Sequence, residues 1–383
     1  MAMRFFFTFL LLLLFYSINL NAQQNDAIIP KDDFYYELPF EYDRGAIIIK
    51  AGLGNETYNF LFDTGALSLI SNEIKSVYPI VGTQQSGKNS NFYADSIVIA
   101  GLAFKNVAMR TLNLTNLPAL KCKINGGFIG ANIISKCIWQ IDYGSRKIIV
   151  TNDKRKLPGL KGATKIPVSL DKFKQPYIDL KINGKKQKTL FDTGSNILLE
   201  LGKTDGLKFK NTGKEIFITG AASETTAGRK LNTVTVMEAN YSIGALQFKN
   251  KPVFFGTDFE ATLLGCPIIE NYIVTLNFPD NEMYLKPFKE FSNESWERYG
   301  FGLKFENGQH KILSLFKGSN AEKAGLLLDD IVVAINGDAI TCNTLCDCLD
   351  YFESIQDDTT QITLSVNRYG SIKNITLLKC KVF

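Results

Sequence analysis

Histidine is nearly missing from this chain: His310 is the one histidine among 383 residues. Ser-His-Asp and Cys-His hydrolases need a histidine base, and zinc hydrolases usually need histidine ligands. Any hydrolytic chemistry here therefore has to run on carboxylates, and His310 itself reads as an exposed hairpin residue. Long apolar runs are missing after the first residues, so no later membrane span is expected. Basic clusters interleaved with aromatic residues are missing too. The net charge of +5 is spread along the chain. Lysine runs such as Lys185-Lys186 and 208–210 read as solvated faces, which argues against nucleic acid as a partner. Sustained helical periodicity is scarce, and most segments have the short, β-rich look of strands.

The N-terminus is the exception to the lack of apolar runs. Arg4 precedes an almost unbroken apolar stretch over 5–15, and Ala22 offers a small residue for cleavage. Residues 1–22 are read as a secretory signal peptide rather than an uncleaved anchor, because the run is short and Ser17, Asn19 and Asn21 dilute its end. The chain is expected to be exported to a periplasmic, extracellular or outer-surface location. Seven cysteines in an exported chain raise the question of disulfides. Cys122 and Cys137 share a segment and could pair. Cys342, Cys346, Cys348 and Cys380 cluster near the C-terminus, where three connectivities are open. Cys266 is left over. A zinc site in the C-terminal cluster matches no common spacing.

What is present in duplicate is more informative. Asp63-Thr64-Gly65 follows Leu61-Phe62, and Asp192-Thr193-Gly194 follows Leu190-Phe191. Residues 130–150 and 265–285 align without a gap, each opened by a glycine after two apolar residues. Between these anchors, Gly101-Leu102-Ala103-Phe104-Lys105-Asn106 echoes Ala245-Leu246-Gln247-Phe248-Lys249-Asn250. The order of features repeats, so the chain holds two equivalent small β-units. Short helical signals lie at 133–136 and 268–271. A Lys-, Gly- and Pro-containing stretch joins the units.

Two carboxylates about 3 Å apart cannot both ionise, so they share one proton and titrate as a pair. The ionised member can take a proton from water while the protonated one donates to a peptide carbonyl oxygen. Gly65 and Gly194 let the backbone turn tightly against the carboxylates. The Thr64 and Thr193 hydroxyls can lock the two loops together. Ser195 has a hydroxyl able to reach Asp192, whereas Ala66 offers none to Asp63. Asp63 is therefore expected to carry the shared proton more often, and Ser195→Ala to raise the lower apparent pKa. The alternative is that the aspartates are turn residues of a non-catalytic barrel.

Over about 36–287 the chain resembles the retropepsin-like and pepsin-like aspartic proteases, on its two Asp-Thr-Gly motifs and on the apolar-apolar-Gly segments ending at Gly130 and Gly265. The resemblance implies a mainly β, two-lobed acid-protease β-barrel fold with Asp63 and Asp192 catalytic in the cleft between lobes. It implies a peptide or protein substrate and no cofactor or metal. Lobe 1 is expected over 33–150, a connector over 151–168 and lobe 2 over 169–287. The stretches 82–89 and 220–228 are candidate flaps.

Composition changes after the charged connector 286–297. Ser319-Asn320-Ala321-Glu322 reads as a capping box and Gly325 as a helix stop. Asn336-Gly337 marks a hairpin, and Leu345, Leu349 and Phe352 recur on one helical face. Residues 299–383 thus resemble a PDZ domain of the kind attached to exported bacterial proteases, a β-sandwich with two short helices. Gly300, Phe301, Gly302 and Leu303 match the loop that holds a peptide's C-terminal carboxylate in that family. The reading is an exported, monomeric aspartic endopeptidase with a PDZ domain for peptide binding or regulation. Two alternatives remain: an inactive peptide-binding scaffold, and a processing protease of narrow specificity.

Overall fold

The computed structural model describes residues 27–30, 32–77, 81–86, 89–209, 214–225, 228–256, 259–289, 297–358 and 360–381. The expected signal peptide lies outside them, as do parts of both candidate flaps. Strand accounts for 54% of the structure and helix for 14%, which makes the chain mainly β.

Two sheets repeat one plan. In the first, the order is Ala46–Leu53, Glu56–Phe62, Gly127–Ile129, Leu69–Ser71, Leu102–Leu112, Asn89–Ile99 and Val81–Ser86. In the second, it is Pro176–Ile182, Lys185–Asp192, Leu263–Gly265, Leu199–Leu201, Leu246–Gly256, Gly228–Ile243 and Glu215–Thr225. Each sheet curls on itself, because its first strand also pairs with the long hairpin: Leu53 opposite Ile97, and Leu180 opposite Ile243. Hairpin turns are set by residues that tolerate a left-handed backbone, as at Asn183 and Gly184 with φ of 47° and 80°. The strand Pro176–Ile182 alternates buried and exposed positions, as a sheet with one core face requires.

A six-stranded sheet joins the halves, in the order Tyr35–Pro39, Lys147–Thr151, Ile138–Asp142, Tyr272–Asn277, Glu282–Pro287 and Thr164–Pro167. Its two central strands come from different halves and pair with Ile141 opposite Val274. Gln140 Nε2 donates to Thr275 Oγ1 across this seam at 2.9 Å. Within the expected connector, the strand Thr164–Pro167 completes this sheet. One continuous apolar core runs through both halves. Trp139 is fully buried in it, with its ring 5.2 Å from Phe62, next to Asp63, and its Nε1 donating to Ile134 O at 2.7 Å.

The C-terminal unit has a separate core. Its strands are Phe301–Glu306, Gln309–Phe316, Ile331–Ile335, Gln361–Arg368 and Ser371–Leu378, with helices Asn320–Lys323 and Leu345–Asp358. Ser319 caps the first helix by accepting from Glu322 N, but the Glu322 carboxylate accepts from Gly318 N rather than closing the box on Ser319. Buried Asp330 is held by Arg368 through two bonds of 2.7 and 2.6 Å. Strand Gln309–Phe316 also pairs with Glu215–Thr225 of the second half, so the two share one sheet.

The cysteines depart from expectation. Cys122 pairs with Cys346 rather than with Cys137, closing a separation of 224 residues. By chain-entropy arithmetic such a closure contributes about 5 kcal/mol. Cys342 pairs with Cys348. Cys137, Cys266 and Cys380 are free, and burial pushes the Cys137 thiol up to about 12. His310 is buried, not exposed: its ring packs on Phe305 and Phe352, and Nε2 lies 3.4 Å from the sulfurs of Cys342 and Cys348. Burial holds its pKa below the ordinary value. The position sits in a hairpin as expected, but its side chain faces the helix Leu345–Asp358 rather than water.

Trp139→Ala removes the largest buried side chain behind the first Asp-Thr-Gly loop. It should cost about 3–5 kcal/mol in urea unfolding.

Candidate active site

Each aspartate sits at the end of a strand, Asp63 just past Glu56–Phe62 and Asp192 as the last residue of Lys185–Asp192, and each strand is flanked by a short parallel strand, Gly127–Ile129 or Leu263–Gly265. Phe62 lies opposite Ile129, and Asp192 opposite Gly265. Asp63 N donates to Ile129 O at 2.9 Å, which pins the loop at the strand end. Gly130 and Gly265 press on the loops from behind: a Cβ at Gly130 would collide with the Leu67-Ser68 backbone, and one at Gly265 with the carbonyl of Ile197. These glycines are needed because backbone meets backbone there.

The loops then lock onto each other reciprocally. Thr64 N donates to Thr193 Oγ1 and Thr193 N to Thr64 Oγ1, both at 3.0 Å. The Thr64 hydroxyl donates to Phe191 O and the Thr193 hydroxyl to Phe62 O, both at 2.7 Å. Both threonines are fully buried. Every donor and acceptor in this knot is thus satisfied by the opposite half.

The knot brings the carboxyls together. Gly65 N donates to Asp63 Oδ1 and Gly194 N to Asp192 Oδ1, each at 2.8 Å. A Cβ on Gly65 would land on the Asp192 carboxyl, and one on Gly194 would come within 2.5 Å of Asp63 Oδ2. Only glycine leaves room for each carboxyl against the facing loop. Each carboxyl therefore lies against the facing loop, close enough for the two to perturb one another. Burial raises the Asp63 pKa well above the ordinary range, and the Asp192 charge raises it further. Burial raises Asp192 as well, but the Gly194 amide and the Asp63 carboxyl pull it down. Both carboxyls are thus held above the ordinary range and titrate as a pair.

The contact expected from Ser195 is not made. The Ser195 hydroxyl does not serve Asp192. It donates to Glu200 Oε1 at 2.6 Å and accepts from Ile197 N at 3.3 Å. Asp63 is instead the more deeply buried of the two, at 6% exposure, while Asp192 is half-buried. Ser195→Ala accordingly should disturb Glu200 first. Glu200 is a third carboxyl beside the pair, its pKa raised by burial and by the Asp192 charge.

Several supporting residues escaped the sequence reading. Ser68 Oγ accepts from Gly130 N at 3.0 Å, and Asn132 Oδ1 accepts from Ser68 N at 2.9 Å. Gln175 Nε2 donates to Gly65 O across the halves. Asn132 alone carried a signal: it is a polar residue inside the apolar-apolar-Gly segment, where only a buried partner would keep it. Gly300, Phe301, Gly302 and Leu303 are not part of this site. They lie in the C-terminal unit, where Gly300 adopts φ 93° against Ser319 and its carbonyl accepts from Phe316 N at 2.9 Å. A bulge separates Gly302 from Leu303.

Among the described residues, possible metal ligands also meet at Asp43, Asp350 and Glu353, and in a C-terminal group of His310, Cys342 and Cys348. Its two sulfurs are bonded to each other, so they are not available as thiolates. Neither a protein-family model nor a curated protein matches the chain.

Thr64→Val leaves the Thr193 amide and the Phe191 carbonyl unsatisfied in a buried place, at about 2–5 kcal/mol. Thr193→Val should cost a similar amount, and the double variant should cost less than the two together, because both remove one network. Denaturant unfolding of the three variants checks this. The folded-state pKa of Asp63 is raised, so the folded chain holds a proton that the unfolded chain releases. Its contribution to stability is present below the unfolded value and is lost as pH rises through the raised folded one. Asp63→Asn should therefore flatten the fall in Tm as pH rises above the ordinary aspartate value of about 3.9.

Proposed function

We propose that this chain is an exported aspartic-type endopeptidase that hydrolyses peptide bonds with water activated between Asp63 and Asp192. The observation that carries the reading is the reciprocal packing of two Asp-Thr-Gly loops through buried threonines, with each carboxyl hydrogen-bonded to its own glycine amide and set against the facing loop. The ionised Asp192 takes the proton of a water held between the carboxyls. Asp63 donates to the carbonyl oxygen of the scissile bond as the tetrahedral intermediate forms. Collapse returns a proton to the leaving amine. No metal or cofactor takes part. On this reading the two β-units are the lobes of an acid-protease fold within a single chain, and a monomer suffices.

The C-terminal unit reads as a PDZ domain. In support, strand Phe301–Glu306 pairs with Gln309–Phe316 on one side, and the helix Leu345–Asp358 lies beside it. A peptide entering between them would add as a strand, with its carboxylate at the backbone amides of 300–303. The second reading, a peptide-binding scaffold with an idle barrel, draws on this edge alone.

Asp63→Asn and Asp192→Asn should each lower cleavage of an unfolded protein substrate by about 10³-fold or more, and pepstatin should block the wild type. Retained cleavage in either variant would overturn the assignment. Turnover needs one proton on the pair, so activity is lost as pH rises through the upper of its two apparent pKa values. Because burial raises both carboxyls, the alkaline limb of the pH–rate profile should lie above the ordinary aspartate range of about 3.9.

A further inference from the structure

The C-terminal unit is tied to both halves of the barrel pair. Its helix Leu345–Asp358 is joined to the first half by the Cys122–Cys346 disulfide. Around that bond, Arg44 Nη1 meets Asp350 at 2.9 Å and Glu353 at 3.5 Å, and Lys123 Nζ lies 3.6 Å from Asp350. On the other side, strand Gln309–Phe316 extends the sheet of the second half. Ile218 pairs with Phe316 and Thr219 with Leu315, and Lys317 N donates to Phe217 O at 2.8 Å. Only glycine fits at 220, because a Cβ there would strike Leu313 O.

Both attachments lead to the aspartates by short routes. Cys122 ends the helix Pro118–Lys121. Asn125 follows shortly and accepts from Asn59 N at 2.8 Å, and the chain then enters Gly127–Ile129, whose last carbonyl accepts from Asp63 N. In the second half, the hairpin that meets the C-terminal unit pairs onward to Leu246–Gly256. That strand holds Leu199–Leu201, which carries Glu200 against Ser195. The ion pairs are exposed on the acidic side and contribute little alone, so the covalent bond is the strong tie to the first half.

We propose that the C-terminal unit is an oxidation-dependent clamp across the two halves, and that reducing Cys122–Cys346 loosens the junction between the Asp-Thr-Gly loops. The effect on turnover rests on the catalytic reading above; the effect on structure does not. Cys346 is exposed and Cys122 half-buried, so an external dithiol can reach the bond, whereas Cys348 of the second disulfide is buried. A thiolate of the dithiol attacks one cysteine sulfur and forms a mixed disulfide, releasing the other as a thiolate. The second thiol of the reductant then displaces the remaining cysteine. Two electrons and two protons pass to the protein, and the reductant leaves as its own disulfide. The clamp thus closes only in an oxidising compartment, after export.

The test is hydrogen exchange in the full chain at the Thr64 and Thr193 amides, which are buried and bonded across the junction. Cys122→Ser with Cys346→Ser should lower their protection at least tenfold. Dithiothreitol should do the same to the folded wild type and nothing further to that variant. Cys342→Ser with Cys348→Ser should keep wild-type protection and respond to dithiothreitol as the wild type does. Protection unchanged within twofold after dithiothreitol has broken the Cys122–Cys346 bond overturns the clamp, whether or not the serine variant folds. Peptide turnover measured in parallel should fall with protection. If protection falls but no form cleaves peptide, the clamp stands and the catalytic reading fails.

Discussion

Two carboxyls buried against each other are costly, and the structure depends on what holds them there. Desolvation penalises each charge, and the charges repel. The reciprocal exchange between Thr64 and Thr193 supplies the opposing force, with each hydroxyl donating to a carbonyl and accepting from an amide of the other half. Neither half can satisfy these groups alone. The same bonds that place Asp63 opposite Asp192 therefore also make each half depend on the other. Holding one proton between them would relieve the conflict between the carboxyls, and the proposed chemistry uses that state.

The rest of the fold keeps that junction from relaxing. Behind the loops, the seam of the six-stranded sheet joins strand Ile138–Asp142 to Tyr272–Asn277, and Trp139 fills the space behind Phe62. At its edge, Tyr42 of the first half donates to Glu270 of the second at 2.6 Å. The C-terminal unit adds a covalent tie to one half and a strand pairing to the other. Its attachment to the strand Glu215–Thr225 makes the two halves unequal, although their sheets share one strand order. The corresponding hairpin of the first half, Val81–Ser86 with Asn89–Ile99, has no such partner strand among the described residues.

Local chemistry was the legible part of this chain. The doubled Asp-Thr-Gly motif, the glycines at 130 and 265, and turns such as Asn183-Gly184 and Asn336-Gly337 each state a requirement that neighbouring residues alone impose. The two equivalent β-units follow from their repetition. Partners chosen across space were not legible. Cys122 meets Cys346 because the C-terminal helix folds back onto the first half, and sequence proximity favoured Cys137 instead. His310 is buried because the helix Leu345–Asp358 covers its strand. The Ser195 hydroxyl turns to Glu200, five residues on, because the strand Leu199–Leu201 runs back past the loop. Gln175 reaches Gly65 only once the halves have docked. The contact expected between the Ser195 hydroxyl and Asp192 is not made, because that hydroxyl is taken by Glu200.

A shared proton is the central claim, and it can be read without any substrate. Carbon-13 labelling of the aspartate carboxyls would allow Asp63 and Asp192 to be followed through a pH titration of the full chain. The account expects both resonances to respond to the same two protonation steps, with the last proton leaving well above the ordinary aspartate range. Two independent single-step titrations near the ordinary value of about 3.9 would contradict it.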